Sequence, residues 1–302
     1  MLRRDFLKLL STIALYSPLA SANKKNSKKI TVVGAGIVGT CIAHELSRLG
    51  QNVTIIDKSL PGSGTSGKSF NWVNATYPKR PYSYNYLSQL GIAAFDDLYR
   101  YIDFPSKWNG SLEWFVEPNK HKKLLNNVNK LSNYPTYSKY KIIDSLKASS
   151  YEPNINFNNN NNIVYSVEDG AIDALKTIEN LVARTIFNGG KIRNNCIYKN
   201  SIYRNGKLSS ISTSIGEIET DLIIFATGIN TNLLINKKVL KEPTPGIIIK
   251  TKPYMNVINK IIVGPGIHIH QQNDGRLVIG EQDGAPENHK IRLKGYPSKF
   301  PS

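Results

Sequence analysis

Cysteine is scarce. Cys41 and Cys196 are the only two in 302 residues, so no disulfide framework staples the fold. Uninterrupted apolar runs of 18 or more are missing, which excludes a polytopic membrane protein. Acid is in short supply too: 22 Asp+Glu stand against 39 Lys+Arg, a formal net charge of +17. A nucleic-acid surface would gather such charge into one stripe with aromatic or groove-reading residues among it. Here the lysines are spread through an asparagine-rich chain and cluster only at Lys24, Lys25, Lys28 and Lys29. The charge reads as a solvated basic surface, and no nucleic-acid partner is expected. Attraction to an anionic membrane surface or an acidic substrate stays open. With 40% hydrophobic residues, the chain is long enough to bury a sizeable core, with two domains expected. That excludes a peptide hormone, a coiled coil and a wholly disordered protein.

Residues 1–22 read as a signal peptide. Arg3 and Arg4 give a charged start, an apolar run follows from Leu9 to Leu19, and Ala20-Ser21-Ala22 makes an A-x-A cleavage site. Arg3 to Lys8 resembles the twin-arginine motif of the bacterial Tat pathway, which exports folded, cofactor-loaded proteins. The expectation is export to the bacterial periplasm with the Tat machinery as partner, or membrane association if the signal stays uncleaved. An ordinary Sec signal is the alternative.

The next segment carries chemistry. Lys29 to Val33 is a short strand rich in β-branched residues. Gly34-Ala35-Gly36-Ile37-Val38-Gly39 follows, then a helical pattern to Leu49, stopped by Gly50. Asn52 to Ile56 is a second strand, ending in Asp57. This is the βαβ dinucleotide fingerprint, G-x-G-x-x-G between strand and helix with an acid at the end of the next strand. Gly34 makes the tight turn, Gly36 lets a pyrophosphate approach the backbone, and Gly39 lets the helix pack closely. The helix amino terminus, at Ile37 and Val38, offers unpaired N–H groups and partial positive charge. Asp57 suits an adenosine ribose. Lys58 beside it either reaches a ribose phosphate or is a surface lysine. Cys41, one turn into the helix, reads as packed rather than reactive.

A nicotinamide enzyme would continue into another helix. This chain instead has Pro61-Gly62-Ser63-Gly64-Thr65-Ser66-Gly67-Lys68-Ser69, a small, hydroxyl-rich loop suited to wrapping a second phosphate and a flavin edge. Further on, Glu168 to Asp173 precedes a helix from Ala174 to Phe187, ended by Gly189-Gly190. Three strands are expected near 191–203, 207–214 and 216–220, with Asn205-Gly206 as a hairpin turn. Asp221 to Phe225 is a buried strand leading into Ala226-Thr227-Gly228.

On these pieces the chain resembles the FAD-dependent amine oxidoreductases of the D-amino acid oxidase superfamily, which include glycine oxidase, sarcosine oxidase and D-amino acid dehydrogenase. Lesser matches are Pro243 to Gly246 and Asp274-Gly275-Arg276. The resemblance implies an α/β fold: a Rossmann-like FAD-binding domain with an inserted β-meander, and an α+β substrate domain with an antiparallel sheet. The expected limits are 23–95 and 166–236 for the first domain, 96–165 and 237–285 for the second, and a polar tail at 286–302. It implies FAD held by Gly34, Gly36, Ile37, Val38, Gly39, Asp57 and Lys58, by Thr65, Ser66 and Ser69, and by Thr227 and Gly228. No His stands in the 65–70 loop, where some relatives attach flavin covalently, so noncovalent FAD is implied. The reaction implied is oxidation of a C–N bond of an amino acid or secondary amine by hydride transfer to flavin N5. The acceptor (oxygen, quinone or a carrier) stays open.

In the remaining half, helices are expected at 81–101 and 119–131, a strand at 108–116, a polar loop at 154–162, and sheet at 246–254 and 261–281. His268, His270 and Gln272 alternate onto one face. With no Cys, His or acid at useful spacing, the two histidines make a poor metal site. They read either as pocket residues or as a solvent-facing strand edge. Tyr254 reads as pocket or packing, and Trp72 and Asn74 as pocket border or core. No metal is expected. Family members carry a further carboxy-terminal segment that has no counterpart here. A second reading is therefore a catalytically inactive, truncated paralogue or nucleotide-binding remnant.

Overall fold

The computed structural model describes residues 27–74, 79, 81–99, 102–103, 105–130, 139–157, 162–240 and 246–281. The signal peptide, the Lys24–Lys25 pair, most of the asparagine run, Pro243 and the 286–302 tail lie outside the described residues. In chain order the elements begin β1 (Lys29–Val33), α1 (Ile37–Arg48), β2 (Asn52–Ile56), a 3-10 turn (Thr65–Lys68), β3 (Trp72–Val73), α2 (Tyr82–Tyr99), β4 (Ser106–Lys107), β5 (Ser111–Glu113), α3 (Pro118–Asn129), β6 (Tyr140–Ile143), α4 (Ser145–Tyr151), β7 (Ile163–Ser166) and β8 (Gly170–Ile172). They continue α5 (Ala174–Phe187), β9 (Lys191–Arg193), β10 (Tyr198–Arg204), β11 (Lys207–Thr213), β12 (Gly216–Glu219), β13 (Leu222–Phe225), α6 (Thr231–Leu234), β14 (Ile248–Pro253), β15 (Ile261–Gly264), β16 (Ile267–Gln271) and β17 (Arg276–Glu281).

Among the described residues two compact units result, one within 27–69, 102–103 and 174–240, the other within 70–99, 105–173 and 246–281. The changeovers at 69/70 and 173/174 differ from the 95/96 and 165/166 expected from sequence. Phe70 is the reason at the first: it is buried with Ala171, Ile261, Val263 and Val278. Trp72 and Val73 then pair with Ala171 and Gly170. The stretch after the hydroxyl-rich loop thus belongs to the second unit.

In the first unit β13-β1-β2-β9 form a parallel sheet. A parallel strand is covered on both faces, so a continuous apolar run is what it needs. On one face Val32, Val53 and Ile55 pack with Ala43 of α1 and with Ile178 and Val182 of α5. On the other, Val33 and Ile56 pack with Ile211, Tyr198 and Ile218 of the antiparallel meander β10-β11-β12. Asn205 and Gly206 both take positive φ, 50° and 72°, as a type I′ hairpin turn requires. The single strand expected at 191–203 is split: β9 joins the parallel sheet, Asn195 turns at φ 53°, and β10 starts the meander.

The second unit holds a seven-stranded sheet, β14-β17-β16-β15-β5-β7-β6. It is antiparallel, as expected, except where β15 runs parallel to β5. The strand expected at 108–116 is shortened to β5 because Gly110, at φ 82°, turns the chain just before it. One face buries Leu112, Ile262, Ile269 and Leu277 with Phe157 and Ala148. Glu113, Val263, His268 and Gly280 fall in register on the opposite face, and Ser111 and Ile261 form the next row. That face carries the titratable side chains.

Candidate functional site

The first unit builds its site from backbone. Gly34 sits at φ 108°, where a side chain is strained, and the Ala226 carbonyl occupies the space a Cβ would need. At Gly39 a Cβ would meet the Gly34 carbonyl, with Ala226 Cβ at 3.2 Å. These two glycines therefore let the exit of β13 close onto the turn between β1 and α1. The packing role expected of Gly39 is thus played against Gly34 and Ala226. A Cβ on Gly36 would meet only Ser66 Oγ, at 3.1 Å, so that surface is open to a ligand.

Helix α1 has no side-chain cap from Gly36, and the Ile37 N–H donates to Ser66 Oγ at 3.1 Å. A hydroxyl thus takes a donor that a helix amino terminus offers to anions. The loop bearing Ser66 is stitched in place: Gly62 N–H donates to Ala35 O at 2.9 Å and Gly67 N–H to Gly62 O at 3.0 Å. Leu175 of α5 crowds both Gly62 and Gly67. Asp57 Oδ2 accepts from Ala35 N–H at 2.7 Å, and Oδ1 from Ser59 N–H at 2.8 Å. Each oxygen keeps a second lone pair for a sugar hydroxyl. Lys58, Val38 and Thr65 are exposed and Ser69 is half-buried. Thr227 Oγ1 lies 3.0 Å from Thr231 Oγ1, and Gly228, at φ 55°, faces open space. These residues fit a dinucleotide: open backbone at Gly36, helix N–H groups, and a carboxylate anchored at the end of β2. Cys41 is inert, since burial pushes its thiol up to about 11.

The second unit builds with side chains. His268 and His270 both stand edge-on to Phe70, with ring centroids 4.2 and 4.8 Å away. Gly280 leaves room for the His268 ring, which would otherwise collide with a Cβ there. His270 is buried, and its Nε2 lies 2.8 Å from the Phe70 carbonyl. Burial pushes its pKa down to about 4, against a smaller upward pull from that bond. Burial also lowers the pKa of His268. Both rings are therefore pocket or core groups and not a solvent-facing strand edge. Tyr254 does not join them, since it is 59% exposed.

Two acids on the same face carry more of the polar structure than the sequence suggested. Asp169 is fully buried, and its Oδ2 accepts from Ser111 Oγ at 2.7 Å, Trp72 Nε1 at 3.0 Å and Asn74 Nδ2 at 3.4 Å. Trp72 and Asn74 are thus anchored to Asp169. Glu113 is also buried, and burial, reinforced by the negative charge of Asp169, pushes its pKa up to about 8. It holds its proton at neutral pH. The only local signal was Ser111-Leu112-Glu113, a polar-apolar-polar triplet too short to stand out.

Residues 29–297 match the family model described as DAO, FAD dependent oxidoreductase. Among solved structures, glycine oxidase from Bacillus cereus ATCC 14579 aligns with a TM-score of 0.75 over 89% of this chain and 77% of that one, at 16% identity. L-proline dehydrogenase from P. horikoshii aligns with a TM-score of 0.69 over 90% and 76%, at 21% identity. At these identities the likeness is one of fold. A curated glycerol 3-phosphate dehydrogenase from Caloramator mitchellensis is 34% identical over 85 residues, 28% of this chain and 18% of that protein, so the match spans less than a fifth of the relative's length. The family match runs through the glycine turn of α1 and the titratable face of the second unit alike, and the chain belongs to the DAO family of FAD-dependent oxidoreductases.

Proposed function

We propose that the chain oxidises a C–N bond of an amino acid or secondary amine, with noncovalently held FAD. The observation that carries the reading is the glycine turn closed on Ala226, with Gly36 left open and Ser66 at the first helix N–H, in a chain matched to the family over residues 29–297. FAD, when bound, supplies the acceptor for the hydride leaving the carbon that bears nitrogen. The chain's own part is to bind and orient. The α1 amino terminus and Gly36 would hold the pyrophosphate, Asp57 the ribose, and Thr227 and Gly228 would border the cofactor. Thr65 and Ser69 line the same loop. The substrate domain corresponds to the second unit, where His268 and His270 are the candidate pocket residues. Both are neutral at pH 7, so they orient by hydrogen bonds and ring contacts rather than by charge. The names of the relatives favour nitrogen substrates: glycine oxidase, L-proline dehydrogenase, iminodiacetate oxidase. Glycerol 3-phosphate dehydrogenase names an alcohol substrate instead. We also infer Tat-dependent export from the Arg3-Arg4 motif at 1–22. Replacing both arginines by lysine should hold the protein in the cytoplasm.

The test is the visible spectrum of the purified protein, followed by anaerobic addition of glycine, sarcosine, D-amino acids, L-proline and glycerol 3-phosphate. A flavin spectrum bleached by one of the nitrogen compounds supports the reading. Bleaching by glycerol 3-phosphate alone moves the reaction to a C–O bond. A protein that stays colourless with added FAD leaves the inactive paralogue as the account.

A further inference from the structure

We propose that the first unit docks on the surface of an anionic lipid bilayer through a basic, aliphatic projection at residues 229–240. Leu233 is 79% exposed, Ile229 59% and Val239 52%, and Leu240 is exposed as well. Large aliphatic side chains are ordinarily among the most buried. Ile229 and Leu233 stand about one helical turn apart, where a 3-10 turn (Gly228–Asn230) runs into α6. Asn232 brings the later pair alongside. Its Oδ1 accepts from Val239 N–H at 2.9 Å and Leu240 N–H at 2.8 Å, and its Nδ2 donates to Leu240 O at 2.8 Å. Lys237 N–H donates to Asn232 O at 3.2 Å, and Asn236 turns the chain at φ 49°. The projection is therefore a built turn whose apolar side chains face outward.

The chemistry of the projection selects lipid. Between Asp221 and Glu242 the chain has no acid and carries Lys237, Lys238 and Lys241. Lys237 and Lys238 are exposed, and among the described residues no ion pair engages them. Their ammonium groups are thus available to anionic headgroups while the aliphatic side chains enter the boundary with the acyl chains. The net charge of +17 adds a general attraction to such a surface. Other occupants fit less well. Protein interfaces favour aromatic residues, Met and Arg and are poor in Lys. Surfaces for single-stranded nucleic acid stack bases on aromatic rings. Residues 226–240 contain no Phe, Tyr, Trp, Met or Arg. The projection lies in the first unit and its docking does not require the reaction proposed above, so it goes beyond that reading.

The test places a reporter on the projection of the full chain. Leu233→Trp keeps an apolar side chain there, and the three wild-type tryptophans, all in the second unit, give the background. The probes are vesicles of phosphatidylcholine with and without phosphatidylglycerol, their acyl chains brominated to quench tryptophan on contact. The apolar run at 9–19 can tether the chain by itself, so quenching at residue 233, and not binding, is the readout. Phosphatidylglycerol vesicles should quench the variant well beyond wild type and shift its emission to the blue. Pure phosphatidylcholine should act about tenfold more weakly or less. Lys237→Gln with Lys238→Gln, added to the reporter, should weaken the interaction about thirtyfold. Ile229→Trp is the second reporter should the first variant fail to fold, and Leu233→Ser beside it should weaken the interaction about tenfold. Quenching no greater than in wild type overturns the proposal. So does equal quenching by the two kinds of vesicle, which leaves the lysines without a part. Emission that is already blue and indifferent to vesicles would mean that protein, from this chain or a second copy, covers the projection, and overturns it too.

Discussion

Around α1, the groups that would meet a ligand are mainly backbone N–H groups of a turn whose glycines pack against Ala226. In the second unit they are side chains: imidazoles set edge-on to Phe70, and a carboxylate that holds an indole and a hydroxyl. The first arrangement has no tolerance for an added carbon at Gly34 or Gly39 and little to titrate. The second has room for side-chain change, but its buried acids and bases tie it to pH. The two units should therefore fail in different ways, and each failure can be read separately. Trp72, Trp108 and Trp114, the three tryptophans of the chain, all belong to the second unit, so their emission reports that unit and flavin absorbance reports the first.

The largest effect on ligand binding is expected from Gly39→Ala. Its Cβ would overlap the Gly34 carbonyl, which is backbone and cannot swing aside. Flavin affinity should fall by about two orders of magnitude, ~2.7 kcal/mol, measured as the flavin-to-protein ratio after purification. Tryptophan emission should match that of FAD-free wild type. A shifted emission would break the comparison by showing that the turn also shapes the second unit.

Asp169→Ala is the counterpart in the second unit. It leaves the Trp72, Ser111 and Asn74 donors without their common acceptor. Losing a buried charged acceptor costs about 3 kcal/mol, read as a lower denaturation midpoint followed by tryptophan emission. Asp169→Asn keeps one acceptor oxygen and should recover part of the loss.

The pH profile follows from two groups of opposite sign. Glu113 is raised from 4.5 to about 8. Its contribution is full below 4.5 and is lost as pH climbs through 8, because the unfolded chain sheds the proton first. His270 is lowered from 6.5 to about 4. Its contribution is present above 6.5 and is lost as pH falls through 4. A tenfold difference in proton affinity between the folded and unfolded chain is worth about 1.4 kcal/mol. Glu113→Gln should therefore flatten the alkaline loss of stability, by up to a few kcal/mol between pH 5 and 8, and leave the acid limb intact. Tryptophan-monitored melts across that range test it, and an unchanged alkaline limb would show that Glu113 does not carry the proton.

The contrast also explains what could be read from the sequence. The glycine turn is six consecutive residues between a strand and a helix, and its chemistry depends on where side chains are missing, so the bare sequence displays it. Asp57 is legible because it ends the adjoining strand. Ser111 and Asp169 are 58 residues apart, and the face that Ser111 shares with Glu113 exists only once β5 is registered against β15. No local pattern foretells that. Tyr254 reads from the sequence as pocket or packing, yet its side chain is exposed. Asn195 divided an expected strand by adopting positive φ, which asparagine does more readily than most residues and which composition alone does not reveal.

The smallest effect is expected at Ser66, and its sign carries the information. Its hydroxyl accepts the Ile37 N–H at 3.1 Å, a donor suited to a phosphate oxygen. Ser66→Ala should therefore destabilise the FAD-free protein by about 1 kcal/mol, the usual loss for a helix-terminus hydrogen bond. The same change frees Ile37 N–H before the ligand arrives. The loss of any hydroxyl–phosphate bond and the gain of a ready donor then oppose each other, and FAD affinity should move by less than about threefold, ~0.65 kcal/mol. Titration of FAD into the FAD-free variant measures it. A loss beyond tenfold would mean that the hydroxyl itself grips the pyrophosphate. The first unit would then depend on a side chain as the second does, and the contrast between them would narrow to Gly34, Gly36 and Gly39.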